Sequence, residues 1–318
     1  MRFRVLATVA VGGAIALALQ PVPVDACASV GRRGPVTIAG EEALVVYDEA
    51  AGMQHFVRTA AFEDAPRDFG FLVPTPGRPE LTEVDSDVFE RLFHVYFRRD
   101  RQRRTRAAGG SSGSSMSSGV EVVARQVVAG LDATVLRASD AGALERWLAE
   151  HGYPSGDALT GWLERYVVKG WHVTAFKLTP GNRRDFETRA VRMSFATPKP
   201  YFPYAEPQHA GRRPRPFRVD VVAPWRADAQ VGLRPWAGRV GYAGQPGESL
   251  RRALAGVVPS ESFRDDAWLT VLDEPRSTRP NQDLFFVPAE EQAAVASTIR
   301  RRLEVRVARP PVLNDFPF

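Results

Sequence analysis

Cysteine is almost missing from this sequence. Cys27 is the only one in 318 residues, which excludes an intramolecular disulfide framework. Zinc sites built on cysteine go with it, since they need several thiolates or histidines together. Histidine is scarce as well. His55, His94, His151, His172 and His209 include no H-E-x-x-H and no other close pair, so the usual zinc-helix signal is missing. No metal and no cofactor are expected. Lysine occurs only at Lys169, Lys177 and Lys199. With none before position 169, the Asp68-Phe69-Gly70 triplet does not belong to a protein kinase, which needs an earlier strand lysine. After the N-terminal segment no run approaches the ~18 consecutive apolar residues that make a candidate membrane span. No repeat with a period of about 20–50 residues is visible.

The N-terminal segment itself reads as an export signal. Arg2 and Arg4 form a short positive region, residues 5–19 are uncharged and apolar, and residues 20–26 are proline-rich and end in the small-residue pattern Val24-Asp25-Ala26. The apolar run is shorter than the ~20 residues a spanning helix needs. Cleavage near residue 26 is therefore expected, with an uncleaved anchor as the alternative. Cys27 then falls at the cleavage site and is a candidate for lipidation, although Asp25 stands where lipoprotein signals usually carry a small uncharged residue. The expected location is periplasmic or extracellular, with membrane contact only through the N-terminus.

The net charge of +5 is carried almost wholly by arginine. Together with much alanine, glycine and proline and only three asparagines, this bias most simply reflects GC-rich coding, so it does not argue for nucleic acid. Attraction to anionic envelope surfaces is the better use of the charge. Arg212, Arg213, Arg215 and Arg218, interleaved with Pro214 and Pro216, form one basic cluster, and residues 300–302 form another. Arginine forks match phosphate and carboxylate bidentately.

Residues 43–48 and 54–62 are β-rich runs joined through a stretch containing Gly52, a hairpin pattern. A third strand at 69–73 stops at Pro74 and Pro76. Over 85–97, Phe89, Leu92, Phe93 and Tyr96 follow the spacing of a helix with one apolar face. Residues 98–119 are arginine-rich and then Gly/Ser-rich, too polar to offset their ordering entropy. A disordered insertion is expected there, and the G-x-S-x-G match at 109–113 has no strand before it to make a nucleophile elbow. A second hairpin at 120–128 and 131–136, helices at about 140–151 and 157–168, and strands at 171–178, 191–195 and 218–222 follow. Residues 231–247 read as a turn-rich loop. Short strands at 267–272 and 284–287 precede a last helix at 288–302, with Pro288 in its first position, Glu290 and Glu291 at its positive end and arginines at its negative end. The pattern predicts an α+β fold, mainly antiparallel sheet built from hairpins with an inserted helix pair. It divides the chain into a signal at 1–26, a domain at 27–230 and a less regular extension at 231–318 packed on the same core.

Several segments are familiar: Glu-Ala-Leu-Val-Val-Tyr-Asp at 42–48, Met-Gln-His-Phe-Val at 53–57, Asp-Phe-Gly-Phe-Leu-Val-Pro-Thr-Pro at 68–76 and Pro-Glu-Leu at 79–81. They resemble the opening block of the DUF2330 family, exported bacterial proteins whose biochemical function is not established. The second hairpin, the helix pair and the entry Lys169-Gly170-Trp171-His172 are similar to that family too, so the resemblance covers about residues 27–225. It implies export and transfers no active site.

Two classes of function remain. The first is a non-catalytic envelope module that binds a protein or an anionic polymer. Its candidate surface is Tyr201, Phe202 and Tyr204 in the aromatic and proline segment 199–207, with Arg212, Arg213 and Arg215. The second is an envelope hydrolase whose acid–base groups converge only in the fold, with His55, Asp68 and His172 as candidates because histidine titrates near neutral pH. That version requires His55 and His172 to share a pocket. The carboxylate pairs at 85/87 and 265/266 would hold a divalent metal only with further oxygen ligands.

Overall fold

The computed structural model describes residues 37–63, 70–97, 120–153, 156–178, 186–187, 190–207, 215–277 and 281–300. The signal segment, Cys27, Asp68, the arginine and Gly/Ser tract at 98–119, His209, Arg212 and Arg213 lie outside them.

The chain opens with the hairpin β1 (Thr37–Asp48) and β2 (Met53–Glu63), turned at Gly52 in a left-handed conformation of φ 61°. Next come β3 (Gly70–Thr75), β4 (Glu80–Val84) and helix α1 (Val88–Tyr96). The second hairpin is β5 (Val120–Val128) with β6 (Leu131–Ala138). Helices α2 (Ala141–Glu150) and α3 (Asp157–Val167) follow, the first capped by Asp140, whose carboxylate accepts from Ala143 N at 2.6 Å. The remaining elements are β7 (His172–Leu178), β8 (Phe186–Glu187), β9 (Ala190–Ala196), β10 (Tyr201–Phe202), β11 (Arg215–Ala223), β12 (Ala227–Val231), β13 (Arg234–Pro235), β14 (Arg239–Gly244), α4 (Glu248–Leu254), a 3-10 turn at Ser260–Ser262, β15 (Trp268–Ser277) and β16 (Leu284–Pro288).

These strands make three sheets. The large one has the order β14-β15-β11-β1-β2-β9-β4, with β8 paired to β2. A second has the order β3-β7-β6-β5, and a third β10-β16-β12-β13. Among the described residues β1 with β11 is the one parallel pair; every other pairing is antiparallel. The architecture is α+β and mainly antiparallel, as the hairpins predict.

Three apolar clusters stack the layers. One side of the large sheet packs on α1 and α4 through Leu44, Val46, Val57, Leu92 and Leu254. Its other side faces the two smaller sheets through Ala43, Val45, Phe56, Phe71, Phe176 and Phe286. The far face of the β3-β7-β6-β5 sheet carries α2 and α3 through Leu72, Val173, Leu148 and Leu163. The order is helices, large sheet, small sheets, helices. No described helix is long and apolar enough to cross a membrane.

Two sequence expectations are corrected. The turn-rich loop at 231–247 contains β13 and β14, and the helix expected at 288–302 does not form over its described part, 288–300, where Pro288 instead ends β16. Instead Val295 and Ala243 exchange both backbone hydrogen bonds, at 2.8 and 3.0 Å, and Thr298 N donates to Gly241 O at 2.9 Å. The dipole signals lose to edge pairing, because β14 offers a row of backbone groups that a helix cannot use. Gly241 belongs to this contact: a Cβ there would lie 2.8 Å from Ile299 Cδ1.

Gln54 shows how the layers are joined. Its side-chain amide acts as a piece of strand, donating to Tyr201 O and accepting from Tyr201 N, both at 2.9 Å. Gln54 is fully buried. Gln54→Ala strips both groups of this partner and is expected to lower the urea-unfolding free energy by about 2–4 kcal/mol. A change below about 0.5 kcal/mol would show that the clamp is dispensable.

Candidate functional site

Along the inner face of the β3-β7-β6-β5 sheet the side chains change character row by row. Phe71, Phe176 and Ala133 form one apolar row. Val73, Thr174 and Val135 form the next, and Thr75, His172, Arg137 and Glu121 the last, each pair facing across its ladder. Strand alternation puts all of them on one face. The inter-sheet core therefore ends in a polar rim.

Part of the protein's unmet hydrogen-bonding capacity lies there, and more lies at Arg58, Arg192 and Asp220. Thr75 and Thr174 are both 0% exposed. Their Oγ1 atoms and His172 Nδ1 are buried and have no hydrogen-bond partner, which for a buried hydroxyl costs about 1–3 kcal/mol. His172 is half-buried, and Arg137, Glu121 and Arg78 are exposed. Arg78 Nη2 donates to Val123 O at 3.2 Å. Burial holds the His172 imidazolium below its ordinary pKa, Arg137 and Arg78 push the same way, and Glu121 opposes them.

His55 sits elsewhere. It alternates with Phe56 on β2 and so faces the opposite side of the large sheet, where Nδ1 meets Ser194 Oγ and Nε2 meets Ser262 Oγ, both at 2.8 Å. A ring between two hydroxyls has the connectivity of a nucleophile and its base, but this imidazole is sealed at 6% exposure and Ser262 at 4%. Burial, with Arg192 beside it, pushes His55 down to about 4. It ties β2 and β9 to the 3-10 turn. His55 and His172 share no partner and no face, so the expected common pocket is not formed. Asp68 lies outside the described residues.

The aromatic patch is a second correction. Tyr201, Phe202 and Tyr204 are at or below 1% exposed. Gln54 holds the Tyr201 backbone, Tyr201 Oη donates to Pro74 O, and Tyr204 Oη bonds to Glu274. The segment looked exposed because its prolines break any alternation; it is a plug between layers. Of the basic cluster, Arg218 is buried and paired with Asp273 at 3.0 Å. Arg215 begins β11, and Arg212 and Arg213 lie outside the described residues, as does Cys27.

Other buried charges serve the core. Arg58 Nε lies 3.0 Å from Glu41 Oε1, an ion pair too far off line for a hydrogen bond, with the guanidinium over the Phe71 ring. It borders a cavity of about 20 Å³ lined also by Phe56, Val73, Leu131 and Met193, room for a water rather than a substrate. Burial raises Asp220 to about 8 against the pull of Arg218. The carboxylate pairs are engaged by arginines: Asp85 by Arg91, Asp265 by Arg251 and Asp266 by Arg264. Among the described residues no group of three or more His, Cys, Asp or Glu is placed to hold a metal.

Sequence reading picked out His172 but missed Thr75, Thr174, Arg78 and Arg137. The available signal was a threonine at apolar-face positions of two strands, Thr75 in phase with Phe71 and Val73, and Thr174 with Phe176.

Two outcomes follow. Phe202→Ala removes a fully buried ring and should cost about 3–5 kcal/mol in denaturant unfolding; an unchanged midpoint would restore the segment as surface. For His55 the unfolded chain binds, between about pH 6.5 and 4, a proton that the folded chain refuses. Its contribution is therefore complete above pH ~6.5, declines as pH falls towards ~4, and declines no further below. His55→Gln should flatten that part of the stability–pH curve, a difference on the order of 2–3 kcal/mol. Parallel curves for the two proteins would rule this out.

With this geometry in place, comparison with known proteins gives one family. A family model described as an uncharacterized protein conserved in bacteria, DUF2330, matches residues 25–278. The match runs well past residue 225, where the sequence resemblance ended, and takes in β14 and β15 of the large sheet. No curated protein matches the sequence. Among solved structures the chain is similar to the crystal structure of baculovirus P35, with 9% identity, a TM-score of 0.39, and coverage of 80% of this chain and 97% of that one. At that level the likeness carries no argument.

Proposed function

Because the chain belongs to the DUF2330 family, uncharacterized proteins conserved in bacteria, we propose that it is an exported module of the cell envelope that binds a partner there without chemistry. The partner is an envelope protein or an anionic envelope polymer, and the binding site is the polar rim at His172. The observation that carries this reading is the charge of that rim: the exposed Arg78 and Arg137 flank the half-buried His172. The Thr75 and Thr174 hydroxyls and His172 Nδ1 behind them are buried without a hydrogen-bond partner, a place for ordered water. The exposed Arg78 and Arg137 beside it meet no carboxylate among the described residues. Export rests on the N-terminal segment, with its short positive region, apolar run and small-residue end.

In-cell crosslinking of the tagged protein in its native host, followed by mass spectrometry, tests this. One reproducible envelope protein or polymer is expected, with recovery reduced about tenfold in an Arg137→Ala, His172→Asn variant that melts like the parent. Background alone, or equal recovery from the variant, would remove the rim as a binding site.

A further inference from the structure

Taking the rim as the binding site, we infer that the group it recognises is an oxyanion, a carboxylate or phosphate carried by the ligand, held by the exposed Arg78 and Arg137 and the half-buried His172. The row is built for donation. Guanidinium groups only donate, and a protonated imidazole has no acceptor nitrogen left. Among the described residues the one acidic group acting on His172 is Glu121, at the far end of the row on the edge strand beyond Arg137. Two arginines against one glutamate leave a net charge of about +1 with neutral His172 and about +2 with it protonated. A neutral sugar would leave that charge unanswered, and a cation would be repelled.

The same arrangement couples binding to protons. In the free protein His172 faces Arg137 of β6, Arg78 beyond β3 and Glu121 of β5, and it stays neutral at neutral pH. A bound oxyanion favours the imidazolium and returns part of the proton affinity that burial and the arginines remove. The complex takes up protons, so affinity rises as pH falls from above the bound-state pKa towards the free-state value below 6.5. Thr75 and Thr174 do not titrate in this range, and neither do the arginines.

Isothermal titration of the full mature chain with inorganic phosphate, glucuronate and glucose, at about pH 5.5 and about pH 8, decides the matter. Phosphate, glucuronate or both should bind, and glucose should not. Glucuronate, whose carboxylate stays ionised over this range while phosphate itself gains a proton, should bind several-fold tighter at the lower pH, and His172→Asn should flatten that dependence. Arg78→Ala with Arg137→Ala should weaken binding about tenfold or more at unchanged melting temperature. Which of phosphate and glucuronate is preferred identifies the source of the oxyanion. Glucose binding as well as glucuronate, or anion binding untouched by the arginine and histidine changes, overturns the oxyanion. Failure of all three probes overturns it too, and the binding reading then stands or falls separately on the crosslinking result.

Discussion

The parallel seam between β1 and β11 is the constraint from which the rest of this fold follows. It places β1 at the centre of the large sheet, between β11 and β2, with packed layers on both sides. A strand buried on both faces cannot alternate apolar and polar residues. Ala43, Leu44, Val45 and Val46 are accordingly all at or below 1% exposed. The seam also joins the first hairpin to the last third of the chain, so β14, β15 and α4 finish the core that β1 and β2 begin.

A doubly covered sheet leaves its polar side chains no water to turn to, and most of those in the central strands are matched one to one. Gln54 clamps Tyr201, His55 bridges two serines, Arg58 meets Glu41, and Arg218 meets Asp273. The Arg58–Glu41 pair lies within the first hairpin and the others join segments distant in sequence; each would be expensive to leave half-made. In the smaller β3-β7-β6-β5 sheet, Thr75, Thr174 and His172 each keep a buried atom without a hydrogen-bond partner, and of the three residues only His172 is partly exposed.

What the sequence made legible was local. The hairpins near Gly52 and Gly130 and helices α1, α2 and α3 rest on periodicity within a dozen residues, and the structure has them within a few residues of the expected places. What stayed hidden depends on partners far along the chain. The parallel pairing leaves no trace in either strand alone. The aromatic segment near Tyr201 was misjudged because its partners lie far along the chain, the Gln54 side chain on one side and β16 on the other. The 288–302 segment carries sound helix-end signals, yet an open strand edge recruits it. Of the candidate site only His172 was visible, because the row of Thr75, Arg137 and Glu121 exists only once four strands lie side by side.

The bridge between Val295 and Ala243 has a meaning beyond its two hydrogen bonds. β14 and β4 are the two borders of the large sheet, and bare borders recruit strands from other molecules. At β4, Gln126 Nε2 of the neighbouring sheet donates to Leu81 O, and the Glu83 carboxylate of β4 accepts from Ala129 N, so the two sheets tie that border down. At β14 the chain covers itself, with Val295 and Thr298 on its backbone and Ile299 over Gly241. The last described residues thus act as a hem. They set Ile299 into the core beside α1 and α4, and by occupying the β14 edge they leave it less open to a strand of a second copy.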